Sequence, residues 1–408
     1  MYQKNVKAPR FNPYLPGYFE NPYPFYRELR EYDPIHKSFM GSWVLTRYKD
    51  CEEILRHPDF SSDLRYWTGF EKRYQNKKLV AWMLNHNVLN VDPPVHTDLR
   101  NYLKKSFMPT SIELLSNKIA EIVAEKIGKL QRLESFDLIS EYALAVPLTT
   151  ICYIFDIPLS YMDQSKEWSI NVSNLIEPLP EMSVLNGANQ GIVDFAAYLK
   201  KRLDDKQSGE GGDDFLSAIL NEPLKKLVDT DKYLLPNLIM LFAAGHETTV
   251  NLIGNGIYAL LNNPTQMAFL RNHPEHIESA IEEFLRYDSS QQLAWRVAMK
   301  EVTINGHTFR PGEQVMLLLG SANRDPEEFV NPDQLDVARS PNRHLSFGRG
   351  RHQCMGAWLA RLQGKIAMQA FCQAFPDIHY DTDRTEWLSK LSFRGLKQFT
   401  IINNQPMA

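Results

Sequence analysis

Residues 347 to 356 read Phe347-Gly348-Arg349-Gly350-Arg351-His352-Gln353-Cys354-Met355-Gly356, and they constrain this chain more than any other stretch. Its one cysteine follows two glycines and precedes Met355-Gly356-Ala357-Trp358-Leu359-Ala360, a run that reads as a turn passing into a helix. Backbone N–H groups and the positive end of that helix would then point at the sulfur and favour thiolate. Such a sulfur can serve as a nucleophile, a redox switch or an iron ligand, and its neighbours favour the last. Gly348 and Gly350 let the backbone lie flat against a large planar body, Phe347 can pack on that body, and Gly356 lets the new helix come close. Haem is the natural candidate, whereas the plainer alternative is a small buried apolar residue, as most free cysteines are.

The rest of the chain can build a scaffold for such a site. With 408 residues, 43% of them hydrophobic, it can bury a large core. No repeat, low-complexity tract or long Pro/Ser linker divides it, so one domain over residues 1–408 is expected. The clearest loop is Asp204 to Asp214, with Gly209, Gly211 and Gly212. A balance of 45 basic and 49 acidic residues, net −4, excludes nucleic-acid binding through bulk charge. Cys51, Cys152, Cys354 and Cys372 lack paired metal-ligand spacing, and neither a secretory leader nor a membrane anchor is read, which points to the cytoplasm. The strongest apolar run, Leu234 to Ala244, is shorter than the ~20 residues a membrane span needs.

Periodicity predicts helices near 24–31, 112–133, 138–155, 188–205 and 214–221, the second with apolar positions Ile119, Ile122, Val123, Ile127 and Leu130. One long helix is expected from about 231 to 262, followed by helices near 264–273 and 276–287. A strand is read at 43–46. The period then changes, and residues 302–304, the turn Asn305-Gly306, 308–309, the turn Pro311-Gly312 and 315–319 read as β-structure. The fold class is mainly α with a small β region.

Several further clusters carry chemistry. Ala244-Gly245-His246-Glu247-Thr248-Thr249 places small residues, an acid and hydroxyls inside an apolar helix. Gly245 weakens that helix, and a threonine bonded back to a carbonyl can widen it into a notch for a small ligand such as dioxygen. A solvated helix face is the plainer reading. Glu283 and Arg286 lie one turn apart, a spacing common in ordinary surface pairs. His96 and Arg100 share a helix face after Asp92-Pro93-Pro94, and Arg296 and His352 add further cations. Each taken singly is an ordinary surface group.

Taken together, His96-Thr97-Asp98-Leu99-Arg100, Ala243 to Thr249, Glu282-Glu283-Phe284-Leu285-Arg286, Ala322 to Phe329 and the cysteine loop resemble, in order and interval, the soluble bacterial cytochrome P450 monooxygenases. The resemblance implies that family's fold, with a long central helix over haem b (protoporphyrin IX iron), and Cys354 as the metal ligand. It implies His96, Arg100, Arg296 and His352 as partners of the haem propionates, with Ala244, Phe347, Gly348 and Gly356 against the cofactor. Glu247 and Thr248, supported by Thr249, would deliver protons during oxygen activation. Glu283, Arg286 and Arg339 would form a buried structural group that holds the cysteine loop. Electrons would come from a separate ferredoxin or flavodoxin with its reductase, and Arg349, Arg351, Lys104 and Lys105 are candidates for the docking face.

Apolar small molecules are the implied substrates. The aromatic-rich stretch 65–89 offers Trp67, Phe70 and Trp82 as pocket walls, and position within the family adds Phe242, Ala243, Leu293, Ala294, Trp295, Ser392 and Phe393. The implied reaction is insertion of one oxygen atom from O2, by hydroxylation or epoxidation. Alternatives are a substrate tethered to a carrier protein, or a peroxide-using or non-oxygenating haem-thiolate protein. Peroxide users in the family typically lack the acid–alcohol pair. A cysteine hydrolase lacks support, because no base and orienting group accompany Cys354.

Overall fold

The computed structural model describes residues 10–75, 77–104, 115–174, 177–178, 182–210, 215–221 and 230–407. At its centre the helix Glu247–Leu261 is buried on nearly every face, packed on the helices Ala357–Ala374 and Ile277–Tyr287 and on the π-turn Ile139–Ala143. Two glycines permit this close approach. A Cβ on Gly256 would lie 2.4 Å from Met368 Cε, and one on Gly254 would lie 2.9 Å from Ile139 Cδ1. The helix Ser116–Leu130 buries Ile119, Ile122, Val123, Ile127 and Leu130, the face its spacing predicts, while the expected start at 112 lies outside the described residues.

The long helix expected from 231 to 262 is two helices, Thr230–Ala244 and Glu247–Leu261. The break has a local cause. Thr248 Oγ1 donates to the Ala244 carbonyl at 3.1 Å, and the backbone tightens to three-residue spacing where His246 N–H donates to Ala243 and Thr249 N–H to His246.

Ten strands are described: β1 (Ile35–Lys37), β2 (Trp43–Leu45), β3 (Phe60–Ser61), β4 (Ser135–Asp137), β5 (Leu293–Ala298), β6 (Val302–Ile304), β7 (His307–Phe309), β8 (Gln314–Leu318), β9 (Ile378–Trp387) and β10 (Leu396–Asn403). A five-stranded sheet runs β1-β2-β8-β5-β3, parallel only between β2 and β8, with Arg296 of β5 opposite Val315 of β8. A second, antiparallel sheet runs β4-β10-β9. β6 and β7 form the expected hairpin, with Asn305 and Gly306 both at positive φ. The aromatic-rich stretch 65–89 holds two short helices, Phe70–Tyr74 and Lys78–Asn85. The Asp204–Asp214 loop begins as a π-turn at Lys206–Glu210, and 211–214 lie outside the described residues. Among the described residues no helix is long and apolar enough to cross a membrane.

Candidate active site

The Cys354 side chain faces a largely apolar cavity of about 660 Å³, whose far wall includes Ala244, Gly245, Thr248 and Thr249. Cys354 N–H donates to the Phe347 carbonyl at 2.9 Å, closing the loop just before the helix Ala357–Ala374. The sulfur is exposed, on the cavity, yet enclosure by the surrounding protein pushes the thiol pKa up, against the Gly356 N–H bonded to its sulfur and the charges of Arg100 and Arg361. Gly348, at φ 65, lines the cavity, as do Phe347 and Gly356. Gly350 does not serve a planar ligand. A Cβ there would lie 2.8 Å from the Leu55 carbonyl, so close packing on the helix Tyr48–Arg56 requires a glycine at this position.

Beside the sulfur, Arg100, Arg296 and His352 line the cavity, and His96 adjoins His352. Arg296 is buried, donates to the Trp295 carbonyl at 2.6 Å, and has its pKa lowered by burial to about 10. Arg100 donates to the Gln353 carbonyl at 2.7 Å. The His96 and His352 rings lie 4.3 Å apart, and His96 Nε2 and both ring nitrogens of His352 are buried without a hydrogen-bond partner. Asp92 Oδ1 is 3.8 Å from His352 Nε2, beyond bonding distance. Burial first, then the charges of His352 and Arg100, lower His96 to about 4. Unpartnered imidazole nitrogens next to the guanidinium groups of Arg100 and Arg296 are what two carboxylates of a prosthetic group would satisfy. Among the described residues no three His, Cys, Asp or Glu side chains form a metal cage, and Cys354 would hold the iron of a macrocycle through its one sulfur. These residues fit a thiolate-ligated haem.

The loop is anchored from below by two ion-pair clusters. Glu283 and Arg286, both fully buried, make a bidentate pair at 2.7 and 2.8 Å, and Arg339 Nε joins Glu283 at 3.0 Å. Arg286 also donates to the carbonyls of Asn323, Pro332 and Gln334. Asn323 in turn bonds Leu345 N–H and Ser346 Oγ, so the cluster reaches the cysteine loop through one residue. The second cluster joins Glu282 of the same motif to Arg361 and His344, which lie outside it. Glu282 takes two bonds from Arg361, at 2.6 and 2.8 Å, and lies 3.0 Å from His344. Burial alone would raise its carboxyl, but Arg361 and His344 hold it at about 2. The Arg361 guanidinium lies 4.6 Å from the centre of the Phe347 ring, locking the wall beside the sulfur.

The acid and the alcohol of the central helix part company. Thr248 lines the cavity, whereas Glu247 turns to Lys390, whose Nζ donates to its Oε1 at 2.6 Å. Among the expected pocket walls, Trp67, Leu293, Ala294 and Trp295 line the cavity. Phe70 belongs instead to the main core, and Trp82, half-buried, packs against it. Phe242 and Ala243 point away because Met240, Leu241 and Ala244 occupy the cavity-facing stripe, and Phe242 packs edge-on with Phe155 and Phe195. Ser392 and Phe393 are buried off the cavity. Of the basic docking candidates, Arg349 and Arg351 donate to the carbonyls of Arg343 and Pro58, Lys104 is exposed, and Lys105 lies outside the described residues.

Sequence reasoning missed Glu177. It lines the cavity and accepts from the Leu391 and Ser392 N–H groups at 3.0 and 3.2 Å. Burial raises its carboxyl from 4.5 to about 7, with the two N–H groups and Lys390 opposing. The folded protein therefore holds this proton more tightly than the unfolded chain does. Its contribution to stability is complete below pH 4.5 and lost as pH rises through about 7, a change of at most about 3 kcal/mol. Melting temperatures of wild type and Glu177→Gln across pH 4–9 are expected to diverge, with wild type losing ground as pH rises; parallel curves would contradict the assignment.

The family model for Cytochrome P450 matches residues 14–389. The biotin biosynthesis cytochrome P450 of Bacillus subtilis (strain 168) is 35% identical over 387 residues, covering 94% of this chain and 96% of that protein. The vitamin D(3) 25-hydroxylase of Pseudonocardia autotrophica is 36% identical over 393 residues, covering 94% of each. The solved structure of P450BioI with hexadec-9Z-enoic acid ligated acyl carrier protein superposes with a TM-score of 0.88 at 34% identity, covering 95% of this chain and 99% of that one. Agreement of this extent, in sequence and in backbone, makes the chain a member of the cytochrome P450 family of haem-thiolate monooxygenases.

Proposed function

We propose that the protein is a haem b monooxygenase that inserts one oxygen atom from O2 into an apolar small molecule, by hydroxylation or epoxidation. The observation that carries this reading is the apolar cavity shared by the Cys354 sulfur and the Thr248 hydroxyl. Cys354 would hold the iron, with Phe347, Gly348, Gly356 and Ala244 against the macrocycle and His96, Arg100, Arg296 and His352 facing its propionates. When bound, the cofactor supplies the activation of dioxygen and the oxidation of the substrate. The chain's own residues supply the rest. Apolar walls exclude water and hold the substrate. Thr248, its hydroxyl bonded to the Ala244 carbonyl at the helix break, offers an exchangeable proton at the cavity surface, and Glu247 one residue earlier replenishes it. Thr249 supports this pair. Glu283, Arg286 and Arg339 keep the thiolate loop in register. Electrons are assigned to a separate ferredoxin or flavodoxin with its reductase.

Thr248→Ala is expected to lower product formation by about 10²-fold while reductant consumption continues, the electrons appearing as peroxide or water. Unchanged product per reductant consumed would remove Thr248 from this role. A panel of fatty acids, terpenoids, steroids and macrolides, scored by the haem spin-state shift on binding, tests the substrate class; no shift with any apolar compound would contradict it. A carrier-tethered substrate is the second reading, favoured by the relative solved with an acyl-loaded carrier protein. Stronger binding of hexadec-9Z-enoyl carrier protein than of the free acid would select it.

A further inference from the structure

Glu247 begins the helix just past the break, yet its carboxylate is not part of the cavity wall that Ala244, Thr248 and Thr249 form. Its Oε1 is held by Lys390 Nζ at 2.6 Å, the two side chains 10% and 16% exposed, while Oε2 is buried without a partner. Lys390 belongs to the link between β9 and β10, and that link is itself pinned to the cavity. The N–H groups of Leu391 and Ser392, the next two residues, donate to the Glu177 carboxylate, which lines the cavity wall. The segment 390–392 is thus held at two carboxyl groups, the Lys390 ammonium at Glu247 and the next two backbone N–H groups at Glu177. His246, buried and bonded to Ser169, feels the charge of Lys390 and also that of Lys166 on the helix Met162–Ser173.

We propose that Lys390 is a positioning residue for oxygenation: it holds the Glu247 carboxylate at one fixed place just off the cavity, the station from which that acid replenishes Thr248, and the bonds from the 391–392 backbone to Glu177 anchor the segment that carries Lys390. This rests on the proton-delivery role of Glu247 stated under the proposed function. A charge-assisted bond of this length between two mostly buried groups selects one rotamer of each. Without it, a flexible glutamate next to an apolar cavity has no fixed donor geometry, and proton delivery loses its alignment. The Phe393 ring centre lies 5.8 Å from Lys390 Nζ, within cation–π range, a contact that an arginine would also favour.

The test uses the full-length haem-loaded enzyme with its electron donors and a compound from the panel that is turned over. Variants Lys390→Met, Lys390→Arg, Glu247→Gln and the double variant Lys390→Met/Glu247→Gln are compared for product per reductant consumed, for the ligand-induced spin-state shift and for the carbon monoxide spectrum. Lys390→Met is expected to lower product per reductant about tenfold, as loss of an orienting partner does. Its spin-state dissociation constant should stay within about twofold, as for a group outside ground-state binding. Lys390→Arg should restore most of the coupling, and the double variant should be no worse than Glu247→Gln alone. If Glu247→Gln uncouples but Lys390→Met does not, or if the two effects multiply, the positioning role is overturned while the role of Glu247 stands. If Glu247→Gln leaves coupling unchanged, the reading of Glu247 fails and the proposal falls with it. A merely structural Lys390 would lower thermal stability and haem content in both lysine variants without this non-additivity, which also overturns it.

Discussion

Cys354→Ser is expected to leave a folded protein whose monooxygenase turnover is lower by more than about 100-fold, beyond what loss of a supporting group around a metal costs. Its sulfur is the one thiol that faces the cavity, since Cys51, Cys152 and Cys372 are buried elsewhere. A serine hydroxyl keeps the shape of the turn and can still accept from the Gly356 N–H, so folding has little reason to suffer. What disappears is the electron-rich ligand that favours oxygen–oxygen cleavage. Turnover with reductant and dioxygen checks the effect, with melting temperature as the folding control. Activity of the serine variant within tenfold of wild type would contradict the account.

The second large effect is on stability. Arg286→Ala leaves Glu283 buried at 0% exposure, with Arg339 as its remaining cation, and strips hydrogen bonds from the carbonyls of Asn323, Pro332 and Gln334. Breaking one side of a buried pair costs about 3–5 kcal/mol. The same truncation at Arg27, whose pair with Asp333 is roughly half exposed on both sides, is expected to cost less than about 1 kcal/mol. Denaturant unfolding of the two variants side by side measures the contrast. Because Asn323 passes the cluster's position to Leu345 and Ser346, Arg286→Ala should also lower haem retention, which Arg27→Ala should not. Equal destabilisation by both changes would contradict this account of the cluster.

Motifs whose residue types are tied to a local backbone shape are legible in the sequence. The cysteine loop, the Asn305-Gly306 hairpin and the apolar stripe of Ser116–Leu130 each announce themselves over ten residues or so. Strands covered on both faces are not. Leu293 to Ala298 shows no polar alternation because both of its faces are covered, and β9, polar and with no fully buried residue, carries no apolar pattern either. The central helix reads as continuous because its apolar pattern runs through Gly245-His246, while the break arises from one side-chain bond, Thr248 to Ala244. Position along the chain puts Phe242 and Ala243 near the pocket, but position fixes a helix and not its rotation. Glu177 and Lys390 lie outside any motif. Their proximity to the central helix comes from the tertiary fold, with Lys390 143 residues from its partner.

Everything turns on whether the sulfur of residue 354 binds haem iron. The direct measurement is the absorption spectrum of the purified, dithionite-reduced protein under carbon monoxide. The account predicts the strongly red-shifted Soret band of sulfur-ligated ferrous haem, lost in Cys354→Ser. A Soret band at the ordinary position of nitrogen-ligated haem in the wild-type protein, or a red-shifted band that survives the serine substitution, would contradict it.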